Sequence, residues 1–143
     1  MDSIDVLNNL REPPERFISK DNKFVIFSVT PKDGDEGYYA YTTMQKNGYT
    51  VMAVGAKAQK LEKITIYTKL VDLPDMADVA YIATSSEKTK AFIEDCIKAN
   101  IQKIWFRPST ENSELLDFCR KNSIDVMSYR DLARGLANSR AYC

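Results

Sequence analysis

Three cations each follow a short apolar run: Lys32 after "FVIFSVTP", Lys57 after "VMAVGA" and Arg107 after "IWF". Cations at the ends of buried strands suit an anionic ligand, and arginine can grip a phosphate bidentately. The segments around them carry small and hydroxyl-bearing residues. Ser28 and Thr30 offer hydroxyls, and Gly34 and Gly37 permit close backbone approach at the start of a helix, where free N–H groups and the helix dipole favour phosphate. Gly55 precedes Lys57, Thr84 and Ser85 end another apolar run, and Pro108 and Ser109 follow Arg107. Against a phosphate stand Asp33, Asp35 and Glu36 at that same helix start. One carboxylate there complements the dipole, but three would repel an anion. A working site therefore requires these acids to face solvent.

Other uses of the same residues stay open. The 28–37 segment reads equally as a solvated turn with an acidic helix cap. Lys57, Lys60 and Lys63 can simply solubilise a loop, Thr84, Ser85 and Ser86 can cap a helix, and Arg107 can pair with a nearby acid. The segment after the second strand discriminates between ligands. An NAD site usually ends that strand with an acid for the ribose, whereas this chain has Gly55, Ala56 and Lys57. Lysines there suit a phosphorylated ribose, as in CoA or NADP.

The 143-residue chain contains no histidine, which removes the commonest general base and metal ligand together. Its three cysteines, Cys96, Cys119 and Cys143, form no CxxC pair, so no zinc site or disulfide framework is expected. The acids show no calcium-loop spacing. A non-enzymatic protein without metal is the expectation. The formal net charge of zero gives no general attraction to nucleic acid. No apolar run approaches the roughly 20 residues that span a bilayer. The charged start "MDSIDVLNNLREPPERF" lacks a secretory core, so a cytoplasmic address is expected.

Apolar periodicity supplies the elements that must position these residues. Strands are expected near 23–28, 50–54, 78–83 and 103–106, with a minor extended piece at 64–67 and a short last strand near Asp125. Helices are expected over 37–46, from a Ser85 or Ser86 cap to about Ala99, and over 111–122. Residues 56–63 read as loop. An N-terminal helical segment (2–20), with Ile4, Leu7 and Leu10 at helical spacing, leads in, and "RDLARGL" gives a closing turn. The alternation defines α/β class: a single Rossmann-like domain over 1–143, a doubly wound parallel sheet with helices on both faces. Ligands in such sheets sit at the carboxyl ends of the strands, beside the switch in strand order. Trp105 is expected in the core, and Tyr38, Tyr39, Tyr41 and Tyr49 to pack the first helix on the sheet.

Four stretches carry a family resemblance: "KNGYTVMAV", "LVDLPDMADVAYIAT", "ANIQKIWFRPST" and "CRKNSIDVM". They resemble elements of the small stand-alone CoA-binding proteins, which are related to the CoA-binding domain of the succinyl-CoA synthetase alpha subunit. The third is similar to that family's "G-I-K-x-V-W-L-Q-P-G", the fourth to its "A-x-x-x-G-I-x-V". The family's first loop reads roughly "G-A-S-x-x-P-x-K-x-G"; here "SVTPKDGDEG" places Ser28 at the first glycine and keeps Gly37 at the last. The resemblance implies a small-molecule nucleotide ligand, CoA or acyl-CoA, held without catalysis at the carboxyl edge. A homodimer stays open. The rival expectation is a ligand-free descendant serving as a structural or protein-interaction module.

Overall fold

The structure is a computed structural model that describes residues 18–32, 35–61, 64–83, 87–107 and 110–127. The expected closing turn lies outside these residues, as does the expected N-terminal helix apart from Ile18–Lys20, which form a bend and a turn. Seven strands make one sheet: β1 (Lys23–Phe27), β2 (Thr50–Val54), β3 (Gln59–Lys60), β4 (Thr65–Tyr67), β5 (Val79–Ile82), β6 (Lys103–Phe106) and β7 (Asp125–Met127). Their spatial order is β3-β4-β2-β1-β5-β6-β7. Every pairing is parallel except β3 with β4. That antiparallel edge pair falls partly in the 56–63 segment expected as loop. Gln59 and Lys60 carry no apolar signal, and only the neighbouring Ile66 strand gives them a partner.

Three helices follow strands: α1 (Glu36–Lys46), α2 (Thr89–Lys98) and α3 (Ser113–Lys121). Asp35 caps α1 and Asn112 caps α3, each through a side-chain oxygen. α2 starts three residues later than the expected serine cap, after Lys88, with no side-chain cap.

After the lysines that open β1 and β6, these two central strands and β5 are apolar at every position because both faces are covered. Phe24 and Ile26 of β1, Tyr81 of β5 and Trp105 of β6 pack beneath Ala40, Tyr41 and Met44 of α1. Val25, Phe27, Ile82 and Phe106 point the opposite way, toward Ile93 and Cys96 of α2 and Leu116 and Cys119 of α3. Trp105 is fully buried and meets Tyr81 edge-on at 5.1 Å. Tyr41 and Tyr49 are buried and Tyr38 packs partly, but Tyr39 is 51% exposed and does not join the core. It lies on the solvent side of α1 because tyrosines at 38, 39 and 41 cannot share one helical face.

From β1 the chain builds outward to β2 and β4, then crosses back to lay β5 on the other side of β1. The switch in strand order thus falls between β1 and β5. A groove of about 250 Å³, lined by Leu70, Leu73, Met76, Ala77 and Ile101 among others, opens at the opposite, amino edge. Its lining offers no charged group to an anion. The carboxyl edge, with its cations and its switch point, is the place to look for a nucleotide.

Candidate functional site

The β1 end is built by close backbone packing. Ser28 takes the left-handed conformation, φ 64°, the backbone region that glycine enters without a steric cost. This turn brings the chain against the start of α1. A Cβ at Gly37 would stand 2.8 Å from the Ser28 carbonyl oxygen, so no larger residue fits there. Gly55 is tighter still: its Cβ would meet the Val29 carbonyl oxygen at 2.3 Å. Both glycines serve contact between backbones, the role that close strand–helix packing requires of them.

Several donors of this end already have acceptors within the protein. Val29 N–H donates to the Val54 carbonyl at 3.1 Å. Thr30 N–H and Tyr38 N–H both donate to Asp35 Oδ2, at 3.1 and 2.8 Å. Tyr39 N–H donates to the Asp35 carbonyl. The Asp35 carboxylate therefore occupies the helix start and gathers the loop N–H that a phosphate would use. The requirement that Asp35 face solvent is not met: it is half-buried and turned inward, because a carboxylate that accepts two N–H bonds and complements the dipole is better placed there than in water. Glu36 is exposed; Asp33 lies outside the described residues.

Lys32 and Lys57 are exposed on the loops after β1 and β2. Gly34, Thr84, Ser85, Pro108 and Ser109 lie outside the described residues. Ser28, Thr30, Lys32, Gly37, Gly55 and Lys57 thus converge on one half of the carboxyl edge, and Arg107 stands on the other.

Arg107 continues β6: its N–H donates to the Ile82 carbonyl at 3.0 Å, extending the ladder to β5. Its side chain turns toward β5, where Nε donates to the Ala83 carbonyl at 2.7 Å. Ala83 follows β5, the strand that borders the switch point, so this bond carries the guanidinium toward it. Arg107 forms no ion pair among the described residues; the other guanidinium nitrogens have no acceptor there. Thr110 folds the following loop back, with its N–H and Oγ1 both donating to the Arg107 carbonyl, at 3.0 and 2.6 Å. One residue on, Glu111 Oε2 is buried and has no hydrogen-bond partner among the described residues. Sequence reading did not single out Glu111, because nothing in the pattern says that an acid before a helix cap will be half-covered.

Cys96 and Cys119 are buried beneath α2 and α3. Burial pushes both thiols up, Cys119 to about 12, so neither supplies a thiolate nucleophile near neutral pH. The described residues hold no cluster of ligands for a metal ion. They also contain no helix long and apolar enough to cross a membrane.

A mostly parallel sheet with this strand order, a tight turn into the first helix and glycine-mediated backbone contacts at the switch point define a Rossmann-like α/β architecture. Residues 22–130 match the family model described as CoA binding domain, and the chain belongs to that family. Solved structures agree on the fold. A hypothetical protein from Pyrococcus horikoshii OT3 superposes with a TM-score of 0.78 at 19% identity, covering 91% of this chain and 94% of its own. A conserved hypothetical protein from Pyrococcus furiosus gives 0.72 at 18% identity, covering 82% of this chain and 98% of its own. An acetyl-coenzyme A synthetase of Ca. Korarchaeum cryptofilum, solved with phosphate and ADP, gives 0.62 at 20% identity over 86% of this chain, which spans 26% of that larger one. No curated protein sequence matches.

Proposed function

We propose that the protein binds CoA, an acyl-CoA or a related phosphorylated adenine nucleotide at the carboxyl edge of its sheet, without catalysing a reaction. The observation that carries this reading is Arg107. Its Nε bond to the Ala83 carbonyl holds the guanidinium near the switch point, and no carboxylate among the described residues neutralises it. A guanidinium fixed by one nitrogen presents its other nitrogens to a phosphate at little further entropic cost. Membership of the CoA binding domain family names the ligand class. The absence of histidine from the chain and the raised Cys96 and Cys119 thiols support binding without turnover.

A second reading has its own observation. Asp35 supplies from within the protein the negative charge that a phosphate would bring to the start of α1. That favours a ligand-free module that keeps the frame of a nucleotide site for structural or interaction purposes.

A thermal-shift panel of CoA, acetyl-CoA, NADP, NAD and ATP separates the two. Ligand at 100 times its dissociation constant stabilises the native state by about 2.7 kcal/mol. The nucleotide reading expects that shift with CoA or acetyl-CoA and none with NAD. No shift with any compound at millimolar concentration would leave the ligand-free module.

A further inference from the structure

Glu111 Oε2 is a buried acceptor without a donor among the described residues. Folded proteins pair nearly all such groups, and each exception calls for an explanation. The Thr110 N–H and hydroxyl both serve the Arg107 carbonyl, and Arg107 Nε serves the Ala83 carbonyl. Glu111 stands in the same loop as Arg107, which Thr110 folds back onto the end of β6. A vacant cation and a vacant acceptor thus lie four residues apart in one short loop at the carboxyl edge.

We propose that the Glu111 carboxylate accepts a hydrogen bond from a neutral O–H or N–H group of the ligand, beside the phosphate held by Arg107. The inference rests on the nucleotide reading above. The partner is a hydroxyl or amide-type donor and not a phosphate, because an anionic oxygen against a carboxylate would repel. Ribose hydroxyls, the adenine amine and the amides of the pantetheine arm all have this chemistry. The arrangement makes Glu111 a specificity residue. Arg107 alone accepts any phosphate, whereas the two together require a phosphate with a neutral donor at a set distance from it. The β2 end has Gly55 in place of an acid.

The test uses Glu111→Met, which keeps the approximate shape and removes the acceptor, and Glu111→Gln, which keeps one acceptor oxygen. The melting temperature of the ligand-free Met variant should rise by about 4 °C, because an unpaired buried acceptor is destabilising. Its affinity for CoA by calorimetry should fall by about tenfold or more, with Glu111→Gln recovering much of the loss. ADP, run in parallel, locates the donor: a loss for both compounds puts it on the nucleotide, a loss for CoA alone puts it on the pantetheine arm. A lower melting temperature in the ligand-free Met variant would show that Glu111 has a protein donor and overturn the proposal. So would CoA binding that is unchanged or tighter in that variant while the wild type binds normally, a result that leaves the CoA reading standing. A wild type that binds neither compound overturns both.

Discussion

At the carboxyl ends of β1 and β2, the N–H groups of Val29, Thr30, Tyr38 and Tyr39 all donate within the protein, and the Asp35 carboxylate stands at the helix start. At the ends of β5 and β6, a guanidinium is fixed by one nitrogen and a buried carboxylate oxygen has no donor among the described residues. The two halves of one edge thus differ in what they leave unsatisfied. In nucleotide-binding folds the first βα turn is the usual phosphate cradle. Here a carboxylate of the protein itself stands in that turn, and the guanidinium of Arg107 lies across the switch point.

The largest effect should come from disturbing the closed half. Gly55→Ala places a methyl 2.3 Å from the Val29 carbonyl oxygen, an overlap only backbone movement relieves. A loss of about 3 kcal/mol is expected, a fall of roughly 10 °C in melting temperature by calorimetry. A tolerated Gly55→Ala would mean the two loops are not packed as described, and the closed half would no longer be closed.

Arg107→Ala probes the other half. CoA affinity should drop by about tenfold to a hundredfold, since a charge-assisted contact is worth about 1.5–3 kcal/mol. The ligand-free protein should lose only about 1 kcal/mol, because the Ala83 carbonyl loses one donor at a half-buried site. Equal CoA binding by variant and wild type would remove the open half from the site.

Asp35→Ala sharpens the contrast. It deletes the cap of α1 and the acceptor of Thr30 N–H, and should cost about 1–2 kcal/mol in chemical denaturation. CoA affinity should stay within about threefold, because the residue lies apart from the β5–β6 half. A tenfold loss would return the first turn to the binding site.

Ser28→Gly should have the smallest effect. Relieving a side chain held at φ 64° should stabilise by about 0.5–1 kcal/mol, partly offset by the greater freedom of glycine in the unfolded chain. A destabilised variant would assign the Ser28 side chain a contact of its own.

The central strands and their parallel pairing were legible because the physics is local and repetitive. Runs such as "KFVIF" and "KIWF" have no polar face, so they must be covered on both sides, and the helical periods between them supply the cover. The resemblance was legible through stretches such as "LVDLPDMADVAYIAT" and "ANIQKIWFRPST". Helix ends were less so. Asn100 and Ser123 take positive φ, 61° and 59°, after α2 and α3, where the family pattern has glycine. The backbone keeps the conformation although the residue type that would announce it has gone. Ser28 does the same at the β1 turn, so a missing glycine in the sequence did not mean a missing turn.

For the site, sequence alone determined which residues arrive at the carboxyl edge, because strand direction fixes which loops lie there: Lys32, Lys57 and Arg107 follow strands and must share it. It could not determine how those residues divide the work. Asp35 was one of three acids that a working phosphate site needs turned outward and that a helix cap would turn inward, and the fold, by bringing Thr30 N–H and Tyr38 N–H to the same oxygen, turned it in. Arg107 had an ion pair and a phosphate as alternatives, and the structure gave its Nε to a backbone carbonyl 24 residues earlier in the chain. Glu111 carried no signal at all. Whether a polar group is satisfied depends on neighbours brought together by packing, and hydrogen bonds between residues distant in sequence leave no period to read.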